Sequence, residues 1–163
     1  MRRLTRTARP SVAVAPGEKL LAWATAESGE VVAGTRDAIY LGDTRLPWEE
    51  VEAADWDRDT SLLRLSEVGE WGAQRVEHDV KIDEPGRLLE LVRERVTASV
   101  ILQRHVTLEH RRGLRVIARR APRGDRPIAW FFEYDEGIDP DDPEVRELAR
   151  AALASARDEV GAP

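Results

Sequence analysis

At 163 residues, with 42% apolar residues and five Trp, the chain has the size and apolar content of one folded domain and not of a disordered segment. It contains no Cys, which excludes disulfides, thiolate metal sites and Cys nucleophiles, and its three His (His78, His105, His110) are too few for a His-rich metal site. The net charge of −6 is uneven: residues 104–126 hold eight Arg against Glu109 and Asp125 alone, so this stretch carries +6 and the remainder −12.

Residues 1–16 contain Arg2, Arg3, Arg6 and Arg9, two Pro and little to bury, so a flexible basic tail is expected, followed by a single domain over residues 17–163. The opening MRRLTRTARPS has no apolar stretch behind it and does not read as a secretory signal. No apolar run approaches the ~20 residues that span a bilayer. A cytoplasmic protein is the expectation.

Lys19 to Glu27 alternates between Leu21, Trp23 and Thr25 on one face and Leu20, Ala22, Ala24 and Ala26 on the other, the period of a strand. Ser28-Gly29 turns the chain, Val31–Ala33 pairs back, and Ala38–Leu41 forms a third strand closed by Gly42-Asp43. Pro47 is expected to start a new edge, because Pro cannot donate to a ladder. Val51–Trp56, Ser61–Leu65 and Arg75–Ile82 alternate again. Asp83 is expected to cap a helix with Pro85 in its first turn, and Leu88, Leu89, Val92 and Val96 follow at helical spacing. Ser99–Leu108 and Leu114–Arg120 form a hairpin around His110-Arg-Arg-Gly113, and Ile128, Trp130, Phe132 and Tyr134 share the most aromatic strand face. The best-specified element is the last helix, with Asp142 as N-cap, Pro143 at N1, an Ala-rich stripe from Val145 to Val160 and Gly161 as the stop.

Leu46-Pro-Trp-Glu-Glu-Val51, within this array of short strands, is similar to a recurrent segment of bacterial (actinobacterial-type) PH-like domains, and Gly34–Leu41 resembles their second hairpin. By element order the resemblance runs over roughly residues 17–160. It implies a mainly β (α+β) fold: a PH-like antiparallel two-sheet barrel of seven strands, with the helix after Asp83 as an insertion and the C-terminal helix plugging one open end. Inositide-binding members of the wider PH group place Lys and Arg around the first hairpin loop, whereas that loop here, Glu27-Ser-Gly-Glu30, is acidic. The resemblance therefore implies a fold without inositide recognition. Some bacterial PH-like domains form rings, so it also admits a homo-oligomer.

The candidate interaction residues are Arg104, Arg115, Arg119 and Arg120 in the basic hairpin, with Trp48 and Trp71. Arg115 and Arg119 share a strand face with Ile117 between them, and planar guanidinium groups suit phosphate and carboxylate. A row of Arg on an exposed sheet holds nucleic acid, an anionic membrane headgroup or an acidic peptide; the alternative is pairing with the chain's own carboxylates. Trp48 and Trp71 are the Trp least obviously in the core, and an exposed Trp beside a groove is a common anchor for protein recognition; Trp56 and Trp130 are expected to pack under the C-terminal helix. Asp55-x-Asp57-x-Asp59 opens like a Ca²⁺ loop but has Thr60 where Gly is required and Ser66 where Glu is required. The acidic run Asp135–Glu144 is explained in part by the helix N-terminus behind it, and Asp135, Glu136 and Asp139 are expected to receive Arg from the basic hairpin, within the chain or across a subunit contact.

For catalysis, Thr97, Ser99 and Thr107 lie near His105, but no nucleophile turn, phosphate loop or dinucleotide fingerprint accompanies them. The expectation is a non-catalytic interaction module without cofactor or metal, binding an unknown protein or peptide. The alternatives are a phosphate-bearing partner on the basic hairpin, and self-assembly through the basic hairpin and the acidic 135–144 segment.

Overall fold

The computed structural model describes residues 8–69 and 74–161, in ten strands, a short 3-10 turn and two helices. The strands form three antiparallel sheets. Sheet one is β1 (Ala22–Thr25), β2 (Val31–Gly34), β3 (Ala38–Leu41) and β4 (Thr44–Pro47), in sequential order. Sheet two is β5 (Val51–Asp57), β6 (Leu62–Glu67) and β7 (Glu77–Lys81). Sheet three is β8 (Val100–Glu109), β9 (Arg112–Arg119) and β10 (Ala129–Tyr134), with β9 in the middle. Helix α1 (Leu88–Ser99) joins sheets two and three, and α2 (Pro143–Val160) follows sheet three.

Among the described residues no sheet closes into a barrel. Sheets one and two instead meet at a corner, where the Glu27 amide donates to the Lys81 carbonyl at 2.8 Å. Helix α1 covers their shared core, burying Leu88 and Val92 among Val32, Ile39, Leu63 and Ile82. Helix α2 builds a separate core on sheet three, from Val145, Ala149 and Ala156 against Leu114 and Val116. The inserted helix thus lies on the first seven strands, and the last helix lies on the three strands that follow. The physical reason is local: β10 puts Trp130, Phe132 and Tyr134 opposite Ala118, Val116 and Leu114, so sheet three has an apolar face of its own to cover.

Four local details differ from the sequence reading. Pro47 ends a strand rather than starting one, because Gly42-Asp43 turns β3 straight into β4 with Leu41 opposite Thr44. Trp48–Glu50 then forms the 3-10 turn that leads into β5. Asp83 does not cap α1; Gly86 takes φ +55°, which breaks the helical path, and the helix starts after Arg87 with no side-chain cap. Residues 8–16 carry no strand or helix, yet Val12 and Val14 pack on the outer face of sheet one beside Ala33 and Tyr40. The Ala15 amide donates to the Tyr40 hydroxyl at 2.8 Å, so this stretch of the expected tail lies against the domain; residues 1–7 fall outside the described residues.

Helix α2 forms as its sequence dictates. Asp142 accepts from the Glu144 amide at 2.8 Å, Pro143 occupies the first turn, and Gly161 ends the helix at φ +68°.

Candidate functional site

The basic hairpin is folded inward upon the protein's own acceptors. Arg104 pairs with Glu159 at the end of α2. Arg115 donates to Glu133 on the adjacent strand at 3.1 Å. Arg123 grips Asp37 through both nitrogens, at 2.5 and 2.7 Å, bridging the loop after β9 to sheet one. Arg112 donates to the Glu136 carbonyl at 3.3 Å. Arg120 is half-buried, and its Nε is buried without a hydrogen-bond partner.

Arg119 is the sharpest departure from an exposed basic row. It is only 4% exposed. Its Nη1 donates to the Val51 carbonyl at 2.9 Å and to Ser99 Oγ at 3.2 Å, and its Nη2 donates to the Glu52 carbonyl at 3.1 Å. The register of β5 against β6 slips between Val51 and Ala53, which leaves Glu52 without a ladder partner. The forked guanidinium, with five donors, satisfies the carbonyls at that bulge. Arg115, Ile117 and Arg119 do share one face of β9, as their spacing requires, but Ile117 and Arg119 on it are buried, Arg119 against the first residues of β5, and Arg115 is paired with Glu133.

Glu52 and Glu133 meet at the same junction. Glu52 receives Arg75 Nη2 at 3.2 Å and Glu133 receives Arg115. Burial first, and then the hydrogen bond and like charge of Glu133, push the Glu52 carboxyl up to about 7. The same contact with Glu52, helped by Arg115, holds Glu133 below the usual carboxyl range.

The acidic run also docks on its own hairpin. Asp135 accepts from the Gly113 amide at 2.8 Å, and its Oδ2 lies 2.8 Å from His105 Nε2. His105 and the Gly113 amide together hold the Asp135 carboxyl below its ordinary range. His105 is therefore engaged by Asp135. Asp139 accepts from the Asp141 amide, and Asp142 caps α2. In the other acidic motif, Asp57 accepts from the amides of Asp59 and Thr60, an ordinary turn. Among the described residues no group of three or more His, Asp or Glu is placed to hold a metal ion.

Trp48 is fully buried, and its Nε1 donates to the Thr35 carbonyl at 3.0 Å. The strand-start position that suggested exposure is the 3-10 turn, which rolls the ring into the core under α1, so Trp48 is a core residue and not a surface anchor. Trp71 lies outside the described residues. Trp130 packs on the α2 side of sheet three, with the Arg157 guanidinium 5.9 Å above its ring. Trp56, on β5, packs beside α1 rather than under the last helix, and it is half-buried.

That placement of Trp56 creates an apolar groove that spacing alone did not reveal. Between α1 and sheet two lies a cavity of about 380 Å³, lined by Trp56, Ala54 and Leu63 from the sheet and by Leu89, Val92 and Val96 from the helix. Arg93 and Thr97 form its rim. Arg93 is exposed and has no ion-pair partner among the described residues. Leu89 and Val96 belong to the helix's apolar stripe; that stripe is wider than the strip the sheets cover, and the surplus is the groove.

A second, larger hollow of about 510 Å³ lies between sheet one and the loop after β9, and its walls are charged. Its floor is Glu18, which accepts from Tyr40 Oη at 2.5 Å, Thr35 Oγ1 at 2.7 Å and Arg45 Nε at 3.1 Å. Burial pushes the Glu18 carboxyl up, but these hydrogen bonds outweigh it and hold the group below its usual range. Glu18 and Asp37 are thus consumed by Arg45 and Arg123 in the hollow's own walls.

No helix among the described residues is long and apolar enough to cross a membrane. No protein-family model matches this chain, no curated protein resembles it, and no solved structure matches its fold.

Proposed function

We propose that this protein is a non-catalytic cytoplasmic interaction module that binds a short segment of another protein in the groove between α1 and sheet two. The observation that carries this reading is a half-buried Trp56 at the centre of an apolar hollow of about 380 Å³. Large aromatic side chains beside concave apolar surface are the usual anchors of protein recognition. The rim selects the occupant's chemistry: Arg93 has no carboxylate partner among the described residues, so the partner segment carries an acidic residue next to its apolar anchors. The fate of the basic hairpin supports the choice. Arg104, Arg115, Arg119 and Arg123 are held by internal acceptors, which counts against a row of free cations along β8 and β9 for a phosphate backbone. The Asp135 carboxylate is likewise engaged by its own chain, against its use in a docking strip between subunits.

We also infer that the PH-like unit is residues 17–99. Four strands, three strands and α1 follow the element order of that family, with α1 in the place of the closing helix. Sheet three and α2 then form an added layer. The corner between Glu27 and Lys81 and the cover that α1 provides support this assignment.

A random peptide library selected on the intact protein tests the groove. Selected sequences are expected to share two apolar anchors and an acidic neighbour. Arg93→Glu, a surface change, is expected to weaken them at least about fivefold, and Leu89→Asp to abolish binding while the circular dichroism spectrum is retained. Raising salt is expected to weaken binding by no more than Arg93→Glu does, because only the rim contact is screened. Selected peptides whose binding ignores both substitutions would overturn the reading.

A further inference from the structure

We propose that β10 is the docking edge for a second copy of this chain, which pairs its own β10 antiparallel across a two-fold axis at Phe132 and so joins two copies of sheet three edge to edge. β10 lies at the end of sheet three, with β9 on one side and no strand on the other among the described residues. The Asp135 amide donates to the Gly113 carbonyl at 2.9 Å. Alternation along an antiparallel ladder therefore turns the amides and carbonyls of Glu133, Phe131 and Ala129 toward β9, and those of Phe132 and Trp130 outward. The outward groups of Trp130 and Phe132 have no partner among the described residues. An unpaired edge of this kind is a template for another strand.

The other sheet edges are each blunted. β1 and β4 are four residues long, and β4 ends in Pro47. β7 carries Glu77, Asp79 and Lys81. β8 shifts register between Val100 and Leu102 and again between Thr107 and Glu109. The Val51 and Glu52 carbonyls of β5 are taken by Arg119. β10 has none of these protections. It keeps register with β9 from Ala129 to Tyr134, contains no Lys or Pro, and turns its one charge, Glu133, to Arg115 within the sheet. Trp130, Phe132 and Tyr134 sit on the α2 face but are only half-buried there, so their rings offer apolar surface to a neighbour.

This edge is complementary to itself. Arg126 precedes β10 and Glu136 follows it, and both side chains are exposed without an ion pair among the described residues. Antiparallel pairing about Phe132 brings the Arg126 end of each copy beside the Glu136 end of the other. The same register sets Trp130 against Tyr134 of the second copy and Phe132 against its own equivalent, with Glu133 opposite Phe131. Moving the axis to Glu133 would place two carboxylates opposite each other, which is unfavourable. Both copies use the same patch, the isologous arrangement that closes at a dimer. The edge is separate from the groove beside α1, and the pairing does not depend on what that groove binds.

The test is sedimentation equilibrium of the full-length protein over a range of concentrations, with amide exchange read residue by residue. A concentration-dependent dimer is expected, in which the Trp130 and Phe132 amides slow as it forms while those of β2 and β3 stay level. Arg126→Glu and Glu136→Arg are surface changes, and each is expected to weaken the dimer about fivefold or more, because each acts once on either side of the axis. The double variant restores opposite charges and is expected to recover the affinity, which damage to the fold would not do. A chain that stays monomeric at its highest soluble concentration would overturn the pairing. So would a dimer whose Trp130 and Phe132 amides exchange as they do in the monomer, or a double variant that binds itself no more tightly than the single ones.

Discussion

Arg119 Nη1 donates to the Val51 carbonyl at 2.9 Å, which ties the middle strand of sheet three to the first residue of sheet two. An Arg in a basic hairpin thereby becomes an internal fastener. Its cost is desolvation, which pulls its guanidinium below the usual range. Its return is two hydrogen bonds to the Val51 and Glu52 carbonyls at the bulge, where Glu52 has no ladder partner.

Replacing that fastener is expected to destabilise the fold and not to weaken a binding surface. Arg119→Ala orphans the carbonyls of Val51 and Glu52 and removes a buried side chain, at about 2–4 kcal/mol. Arg119→Lys is expected to recover only part, because an ammonium lacks the planar fork. Urea unfolding of the three proteins measures this; an alanine variant as stable as wild type would contradict the structural role.

Trp48→Phe is expected to cost about 2–4 kcal/mol, from the lost hydrogen bond to the Thr35 carbonyl and the space left in a filled core. The variant that folds is expected to bind groove peptides normally, since Trp48 does not line the groove. Thermal unfolding together with peptide affinity separates the two effects.

Glu18→Gln is expected to cost about 1–3 kcal/mol at neutral pH, because three donors converge on a carboxylate whose side chain is 4% exposed. Its folded value is depressed, so the stability it contributes is present above the ordinary carboxyl range and disappears as pH falls through the depressed one. Wild type and variant are therefore expected to converge in stability in acid. Unfolding at pH 7 and at pH 3 checks the sign.

Gly113→Ala is expected to open the β8–β9 hairpin. A Cβ at Gly113 would overlap the Val106 carbonyl and the Thr107 backbone, neither of which can swing aside as a side chain tip would. The expected cost is about 1–3 kcal/mol, seen as a lower melting temperature and as early exchange of the Gly113 amide, which Asp135 accepts in the wild type.

Alternation placed nearly every strand, and capping residues placed α2 from Asp142 to Gly161. β4 was missed because Thr44–Pro47 ends in a residue that disfavours ladders, and its partner lies only two residues away across Gly42-Asp43. The start of α1 was misjudged because Asp83 has the right side chain for a cap, but Gly86 at φ +55° stands between it and the helix. Trp56 was legible as a strand residue, and its place at the groove was not, since that depends on where α1 comes to rest.

By itself the sequence determined which residues share a face, where the turns fall and where the last helix begins and ends. These are consequences of periods of two and 3.6 and of side chains that satisfy nearby amides, all of which act over a few residues. Only the tertiary structure decided what each face meets. Arg115 and Arg119 were bound to point the same way. That Arg119 points at the carbonyls of β5, and not at solvent, follows from a contact between strands more than 60 residues apart, and no local rule reaches that far.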